Sequence, residues 1–314
     1  MAFCRRLGNY CSPQMILIPQ FHLLTEIIEN LPGAQVVVWC TPSVVERVRK
    51  LVPWQVQTTP PKLDRAEWLL VVGGGKLIDQ AKLLRAEHPH LKLAAIPTLW
   101  GSGAEASPIA VWSESGEKKF LMNACLLPDV VCHVPEFAES LPDSLVHWAC
   151  GDAWAHALEG FLSPLASDGT RADLAEVIRG MMELGIRNDP RWFQSSALAC
   201  AGQAQSSVGL IHGIAHVAES PSSLGHARLC ATLLLPVMRF NQTKSPKWAL
   251  LADHGLSADR ILEIVSTLFC QEDYAQALAA ISGRWNAVLR NPCTRTNSAL
   301  VRPDDKTYFE EFAP

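Results

Sequence analysis

Two short stretches of this 314-residue chain place potential metal-binding side chains at helical intervals. Asp152 and His156 lie four positions apart in GDAWAHALEG, and His212 and His216 repeat that offset in GLIHGIAHVAE. On a helix such a pair shares one face, a turn apart. His226 follows at the end of the Ser/Pro/Gly-rich loop SPSSLGH. Asp152, His156, His212 and His226 together offer one carboxylate and three imidazoles. That donor set suits Fe(II) or Zn(II), whereas Ca2+ and Mg2+ want mostly oxygen. A cation so held is a Lewis acid for a small oxygen-bearing substrate. Singly, these residues have plainer explanations: a His pair on an apolar helix is usually a hydrogen-bonded core pair, and Asp152 could cap a helix. The joint pattern favours the metal.

Two further segments concern phosphate. WLLVVGGGKLIDQAK reads as a strand, the glycines Gly73, Gly74 and Gly75, and then a helix. Glycines let backbone N–H groups approach a diphosphate, and the helix N-terminus adds positive partial charge. IPTLWGSGAEAS (96–107) is a second strand running into a glycine loop. A tight turn would explain either loop alone. Two at the C-terminal ends of parallel strands would wall a crevice of the kind that takes a dinucleotide.

Composition narrows the class. An apolar fraction of 48% with 18% charged residues suits a compact soluble protein. Net charge is −4 with no basic run, so no nucleic-acid footprint is present, and no apolar stretch reaches the length of a membrane helix. The N-terminal MAFCRRLGNYCSPQ lacks the apolar segment of a signal peptide. Ten scattered cysteines without C-x-x-C spacing read as free thiols in a reducing, cytoplasmic setting.

The elements that must position these residues change character midway. Strands are expected at 15–19, 34–40, 68–74 and 91–97, with helical patterns at 21–31, 43–52 and 76–88 between them. That alternation predicts an α/β domain with a parallel sheet. Behind a boundary near 141–148, HWACGDAWAHALEGFL, TRADLAEVIRGMMELGI, the long run 191–219, HARLCATLLLPVMRFN, ADRILEIVSTLFC and YAQALAAISGRWNAVL all read as helices. The expected organisation is therefore an α/β dinucleotide-binding domain over 1–144 and an all-helical metal and substrate domain over 145–314.

In these blocks the chain resembles the iron-containing (group III) alcohol dehydrogenases, which share the dehydroquinate synthase-like fold. The family pattern G-G-G-S-x-x-D-x-A-K is matched from Gly73 to Lys82, and P-T-T-x-G-T-G-S-E from Pro97 to Glu105. D-A-x-x-H-A-x-E is matched from Asp152 to Glu159, and G-L-x-H-x-x-A-H from Gly209 to His216, with His226 following. The resemblance runs from about residue 68 to 241. It implies that Asp152, His156, His212 and His226 bind one divalent metal, Fe(II) or Zn(II). It implies NAD(H) or NADP(H) across the glycine loops, contacted by Gly73, Gly74, Gly75, Lys76, Thr98, Ser102 and Lys119. Asp79 would touch the coenzyme or brace its loop. His216 matches a family histidine near the nicotinamide and is assigned to a proton relay. The implied activity is hydride transfer between nicotinamide and a small, polar aldehyde, ketone or alcohol, and a homodimer is compatible with it.

Departures from the pattern matter too. Lys76 replaces the usual serine, Ser102 and Ala104 replace Thr and Ser, and Cys230 stands where an Asn is usual. The connection between Cys40 and Trp68 is short, which predicts a sheet lacking one βα unit. Thr41 and Ser43 occupy the region that touches the adenosine ribose; without a carboxylate there, a 2′-phosphate is tolerated. Two rival readings follow: a non-redox lyase or cyclase of the same fold, and a catalytically silent, shortened homologue that acts by binding. Three further residues carry plain expectations: Glu159 could reach the site from one turn beyond His156 but is expected to pair with a surface Arg or Lys, and Trp100 and Trp154 are expected as core or interface filler, with a pocket-lining place as the alternative.

Overall fold

Three apolar runs build the centre of a parallel sheet in the computed structural model, which describes residues 19–31, 34–114 and 117–313. These are β2 (Val36–Cys40), β4 (Trp68–Gly73) and β5 (Lys92–Pro97). Apart from the exposed Lys92 at the start of β5 they are apolar, because both faces of the sheet are covered. Leu69, Val71, Leu93 and Ala95 pack on one side with Ile78, and Leu70, Val72, Ala94 and Ile96 pack on the other. That second side shares a continuous core with the helical region, so sheet and helices are one packed body around the site.

Shorter strands complete the sheet: β1 (Gln20–Phe21), β3 (Val56–Gln57) and β8 (Val130–Val131), in the order β1-β8-β5-β4-β2-β3, all parallel. The covering helices of this half are α1 (Leu24–Asn30), α2 (Val45–Leu51) and α3 (Gly75–Glu87). The expected strand at 15–19 lies almost wholly outside the described residues. The expected loss of a βα unit is only partial: β3 is present at the sheet edge, and a helix-free connection leads from it to β4. An antiparallel hairpin, β6 (Ile109–Glu114) and β7 (Glu117–Met122), was not expected from the sequence. It is tied to α3 by the buried Lys82, whose Nζ donates to the Ile109 carbonyl at 2.7 Å and lies 3.2 Å from Asp79 Oδ1.

Beyond Pro142 the described chain is helical: α4 (Asp143–Leu162), α5 (Asp168–Leu184), α6 (Trp192–Ser206), α7 (Leu210–Ser222), α8 (His226–Lys244), α9 (Leu250–Asp253), α10 (Ala258–Ser266), α11 (Gln271–Ile281), α12 (Trp285–Arg290) and α13 (Lys306–Glu310). The fold is thus an α/β region with a parallel sheet followed by an all-helical region, as expected. The run 191–219 is two helices rather than one. The chain breaks at Ser207, where φ is 68°, and the freed N–H groups at the start of α7 find acceptors elsewhere: Leu210 N on Asn297 Oδ1 and Ile211 N on Glu159 Oε1. The break therefore aims α7 at α4. The run 274–289 also divides, at Gly283 with φ +72°, into α11 and α12.

α4 forms the axis of the helical region, with nearly every residue from Ala149 to Leu162 buried. Its small residues let neighbouring helices come close. A Cβ at Gly151 would fall 2.6 Å from the Ala231 Cα on α8. Gly151→Ala is therefore expected to lower stability by about 1–3 kcal/mol through overpacking. Gly180→Ala on α5, where nothing lies within 4 Å of the added carbon, is expected to raise it by up to about 1 kcal/mol. Denaturant midpoints of the two variants check this opposition, and equal effects would contradict the close α4–α8 crossing.

Candidate metal centre and adjoining crevice

Three helices each bring donor atoms at four-residue spacing to one point. α4 presents Asp152 and His156, α7 presents His212 and His216, and the first two turns of α8 present His226 and Cys230. Asp152 Oδ1 lies 3.8 Å from His212 Nε2, 3.9 Å from His226 Nε2 and 4.0 Å from His156 Nδ1. His156 Nε2 and His212 Nε2 are 3.2 Å apart. Two nitrogens sharing a tetrahedral ion at about 2.0–2.1 Å would stand ~3.3 Å from each other. One oxygen, nitrogen or sulfur atom from each of Asp152, His212, His226 and Cys230 falls within 4.8 Å of all the others. His156 stands beside that group and joins it through His212.

What surrounds the histidines fits a cation. Two of the outward ring nitrogens have hydrogen-bond acceptors, His156 Nδ1 on the Gly101 carbonyl at 3.2 Å and His212 Nδ1 on Glu159 Oε2 at 2.7 Å, while His226 Nδ1 stands 3.4 Å from Glu219 Oε2 as an ion-pair contact. Such partners fix the tautomer and aim the other nitrogen inward. Inside the cluster, Asp152 is 2% exposed and its Oδ1 has no hydrogen-bond partner. A buried carboxylate oxygen left so is costly unless a cation meets it. Burial holds His156 below the usual imidazole range and His212 well below it, so both are neutral and able to donate a lone pair. At His226 burial acts downward too, but the Glu219 contact and the Asp152 charge outweigh it and raise the ring.

Glu159 corrects an expectation. It makes no ion pair with a surface base. It is 3% exposed, and accepts from Ile211 N at 2.5 Å as well as from His212. Burial pushes its carboxyl up to about 8, while the backbone N–H groups of Gly209, Ile211 and His212 pull the other way. Glu219 and Lys118 were missed by the sequence reading. Lys118 Nζ on β7 lies 3.1 Å from Glu219 Oε1, so a Lys–Glu–His chain runs from the hairpin to the cluster. Repeated spacing was the available signal: Glu159 and Glu219 each stand seven positions after the first donor of their helix, on the same face.

The glycine turn sits where β4 passes into α3, with Gly74 as the helix cap. A cleft of about 500 Å³ opens there, lined by Thr41, Gly74, Gly75, Lys76 and Gln80 among others. Gly75 must lack a side chain, because a Cβ would come within 2.9 Å of Ser102 Cβ. The loop after β5 links this crevice to the cluster. Thr98 N donates to the Gly73 carbonyl at 3.1 Å, Ser102 abuts Gly75, and Gly101 O receives His156. Asp79 serves as the brace rather than facing the cleft, since its oxygens meet Lys82 Nζ and Val111 N, both at 3.2 Å. Lys119 lies half-buried on β7, opposite Trp112. His216 stacks on His226 with ring centroids 5.5 Å apart, and burial takes it down to about 3. Trp100 and Trp154 are core residues, as expected, at 2% and 0% exposure.

Fold and site together define a class of protein: a parallel α/β sheet whose strand ends adjoin a carboxylate–histidine cluster in a helical region. The iron-containing alcohol dehydrogenase family model matches residues 58–135. Maleylacetate reductase 2 of Cupriavidus pinatubonensis is 32% identical over 190 residues, 58% of this chain and 52% of that protein. The 1-propanol dehydrogenase of Salmonella typhimurium is 32% identical over 204 residues, 60% of this chain and 54% of that protein. The chain spans about half the length of these curated relatives. In fold it is similar to the iron-containing alcohol dehydrogenase of Corynebacterium glutamicum, with a TM-score of 0.76 at 20% identity over 96% of this chain and 97% of the other. It is similar also to sulfoacetaldehyde reductase of Bifidobacterium kashiwanohense, solved in complex with NAD+, with a TM-score of 0.71 at 16% identity over 98% of this chain and all of the other. The chain is a relative of the iron-containing alcohol dehydrogenases and has their fold.

Two outcomes are expected at this site. Glu159→Gln leaves either Ile211 N or His212 Nδ1 without its acceptor, and is expected to lower divalent-metal affinity by about 10–100-fold with the helical circular dichroism retained. Equilibrium dialysis measures it, and unchanged affinity would remove Glu159 from the site. Glu105, on the loop after β5, is 1% exposed, and burial pushes its carboxyl up to about 7 from an ordinary 4.5. Between those pH values the unfolded chain loses the proton first, so stability falls as pH rises. Glu105→Gln has no such proton. Its unfolding free energy relative to wild type, read from denaturant midpoints, is expected to climb from pH 4.5 and level off above 7, a difference of up to about 3 kcal/mol.

Proposed function

We propose that the protein is a divalent-metal-dependent, NAD(P)(H)-linked alcohol dehydrogenase or aldehyde reductase, with coenzyme on residues 1–144 and metal on residues 145–314. The observation that carries this reading is the buried, unpartnered Asp152 Oδ1 with braced imidazoles around it, one loop away from a glycine-lined crevice. A divalent cation, Fe(II) or Zn(II), supplies polarisation of a substrate carbonyl, and a nicotinamide coenzyme supplies or accepts the hydride.

The protein's own residues do the rest. Asp152, His156, His212 and His226 hold the cation, and Glu159, Glu219 and the Gly101 carbonyl orient the rings. Gly74, Gly75 and the start of α3 offer N–H groups to a diphosphate, with Lys76 adding positive charge and Gly73 giving the turn its closeness to Thr41. Thr98, Ser102 and Lys119 extend that surface from the neighbouring loop and hairpin. No carboxylate lines the cleft beside Thr41, which supports acceptance of a 2′-phosphate as well as a free ribose. His216, stacked on His226 one turn from His212, is the residue assigned to pass the substrate proton at its ring nitrogen. The name of one relative, a 1-propanol dehydrogenase, supports a small alcohol and its aldehyde as substrates.

The test is aldehyde-dependent oxidation of NADH or NADPH by metal-free protein reloaded with Fe(II) or Zn(II). Activity is expected to return with metal, and to fall by about 100-fold or more in His212→Ala and His226→Ala while the fold persists. Full activity in both variants would reject the metal mechanism. Substrate conversion without net change in coenzyme would favour the lyase reading. Calorimetry showing no coenzyme bound to metal-loaded protein would favour the silent homologue.

A further inference from the structure

Cys230 is the donor that the spacing argument left aside, and it lies within the cluster. It sits one turn after His226 on the inner face of α8, with 0% exposure. Its Sγ lies 3.6 Å from His226 Nε2 and 4.0 Å from His212 Nε2. Bonds of about 2.3 Å to sulfur and 2.0–2.1 Å to nitrogen around one tetrahedral ion would put S and N ~3.6 Å apart. The thiol is thus at ligand separation from two histidines already aimed at the unpartnered Asp152 Oδ1.

We infer that Cys230 enters the coordination shell as a thiolate, completing the tetrahedron with Asp152, His212 and His226 in the place of His156, and biasing the site toward Zn(II) over Fe(II). This rests on the reading that the cluster holds a divalent cation. As the sulfur–metal bond forms, the thiol S–H bond breaks and its proton passes to solvent, with no change of oxidation state. Thiolate favours zinc because of its softness, whereas an oxygen or amide donor at this position would leave a harder site.

Cobalt(II) titration of the full metal-free chain tests the inference without using activity. Wild-type protein is expected to bind one Co(II) and to show a thiolate-to-cobalt charge-transfer band in the near ultraviolet beside its visible d–d bands. Cys230→Ser is expected to keep the d–d bands and lose the charge-transfer band, with Zn(II) affinity reduced roughly tenfold or more and Fe(II) affinity changed less. X-ray absorption of the zinc-loaded wild type needs no variant and is expected to contain one Zn–S path at about 2.3 Å. Cobalt bound by the wild type without the band, or the band unchanged in Cys230→Ser, overturns ligation by Cys230 and leaves the cation reading standing. No Co(II) or Zn(II) bound by the wild type overturns both.

Discussion

The structure depends on how one buried carboxylate is neutralised. Asp152 sits in the middle of the most deeply packed helix, and its Oδ1 meets no donor. An uncompensated ion in such a place costs several kcal/mol. The surroundings are arranged as if for a positive charge at that point. The neutral imidazoles of His156 and His212 bring lone pairs rather than N–H groups, with their outer nitrogens on the Gly101 carbonyl and Glu159, and His226 rests against Glu219. Apolar packing alone would not need this pattern, since a core histidine is satisfied by any nearby acceptor.

The fold serves that point by bringing distant segments close without slack. Small residues along α4 let α8 approach to near backbone contact at Gly151. The break at Ser207 turns α7 so that its first N–H groups end on Asn297 and Glu159. The loop after β5 then couples the helical cluster to the sheet, because Gly101 carries His156 while Thr98 and Ser102 lie on the glycine turn. A second link runs through the hairpin, from Lys118 to Glu219 to His226. Crevice and cluster are therefore mechanically connected at two places.

Much of this was legible in the sequence because it rests on local periodicity. Strand–helix alternation gave the sheet, and i, i+4 spacing put Asp152 with His156 and His212 with His216. The hairpin escaped notice because EKKFLM carries charges that read as solvated surface, although its register is held from behind by the buried Lys82. Glu159 was assigned to the surface because its spacing from Asp152 and His156 allows it to reach the site without revealing that α7 begins beside it. Asp79 matched a motif linked to coenzyme, yet Lys82 and Val111 take both its oxygens. Cys230 looked like a plain departure from a family pattern. Only the crossing of α8 over α4 makes its sulfur a neighbour of the histidines.

Anomalous scattering from a crystal of the metal-loaded protein, recorded on both sides of the zinc or iron edge, bears most directly on the central claim. The account predicts a single strong peak at about 2.0–2.3 Å from Asp152, His212 and His226. A map with no such peak, or one whose peak lies away from Asp152, would contradict it.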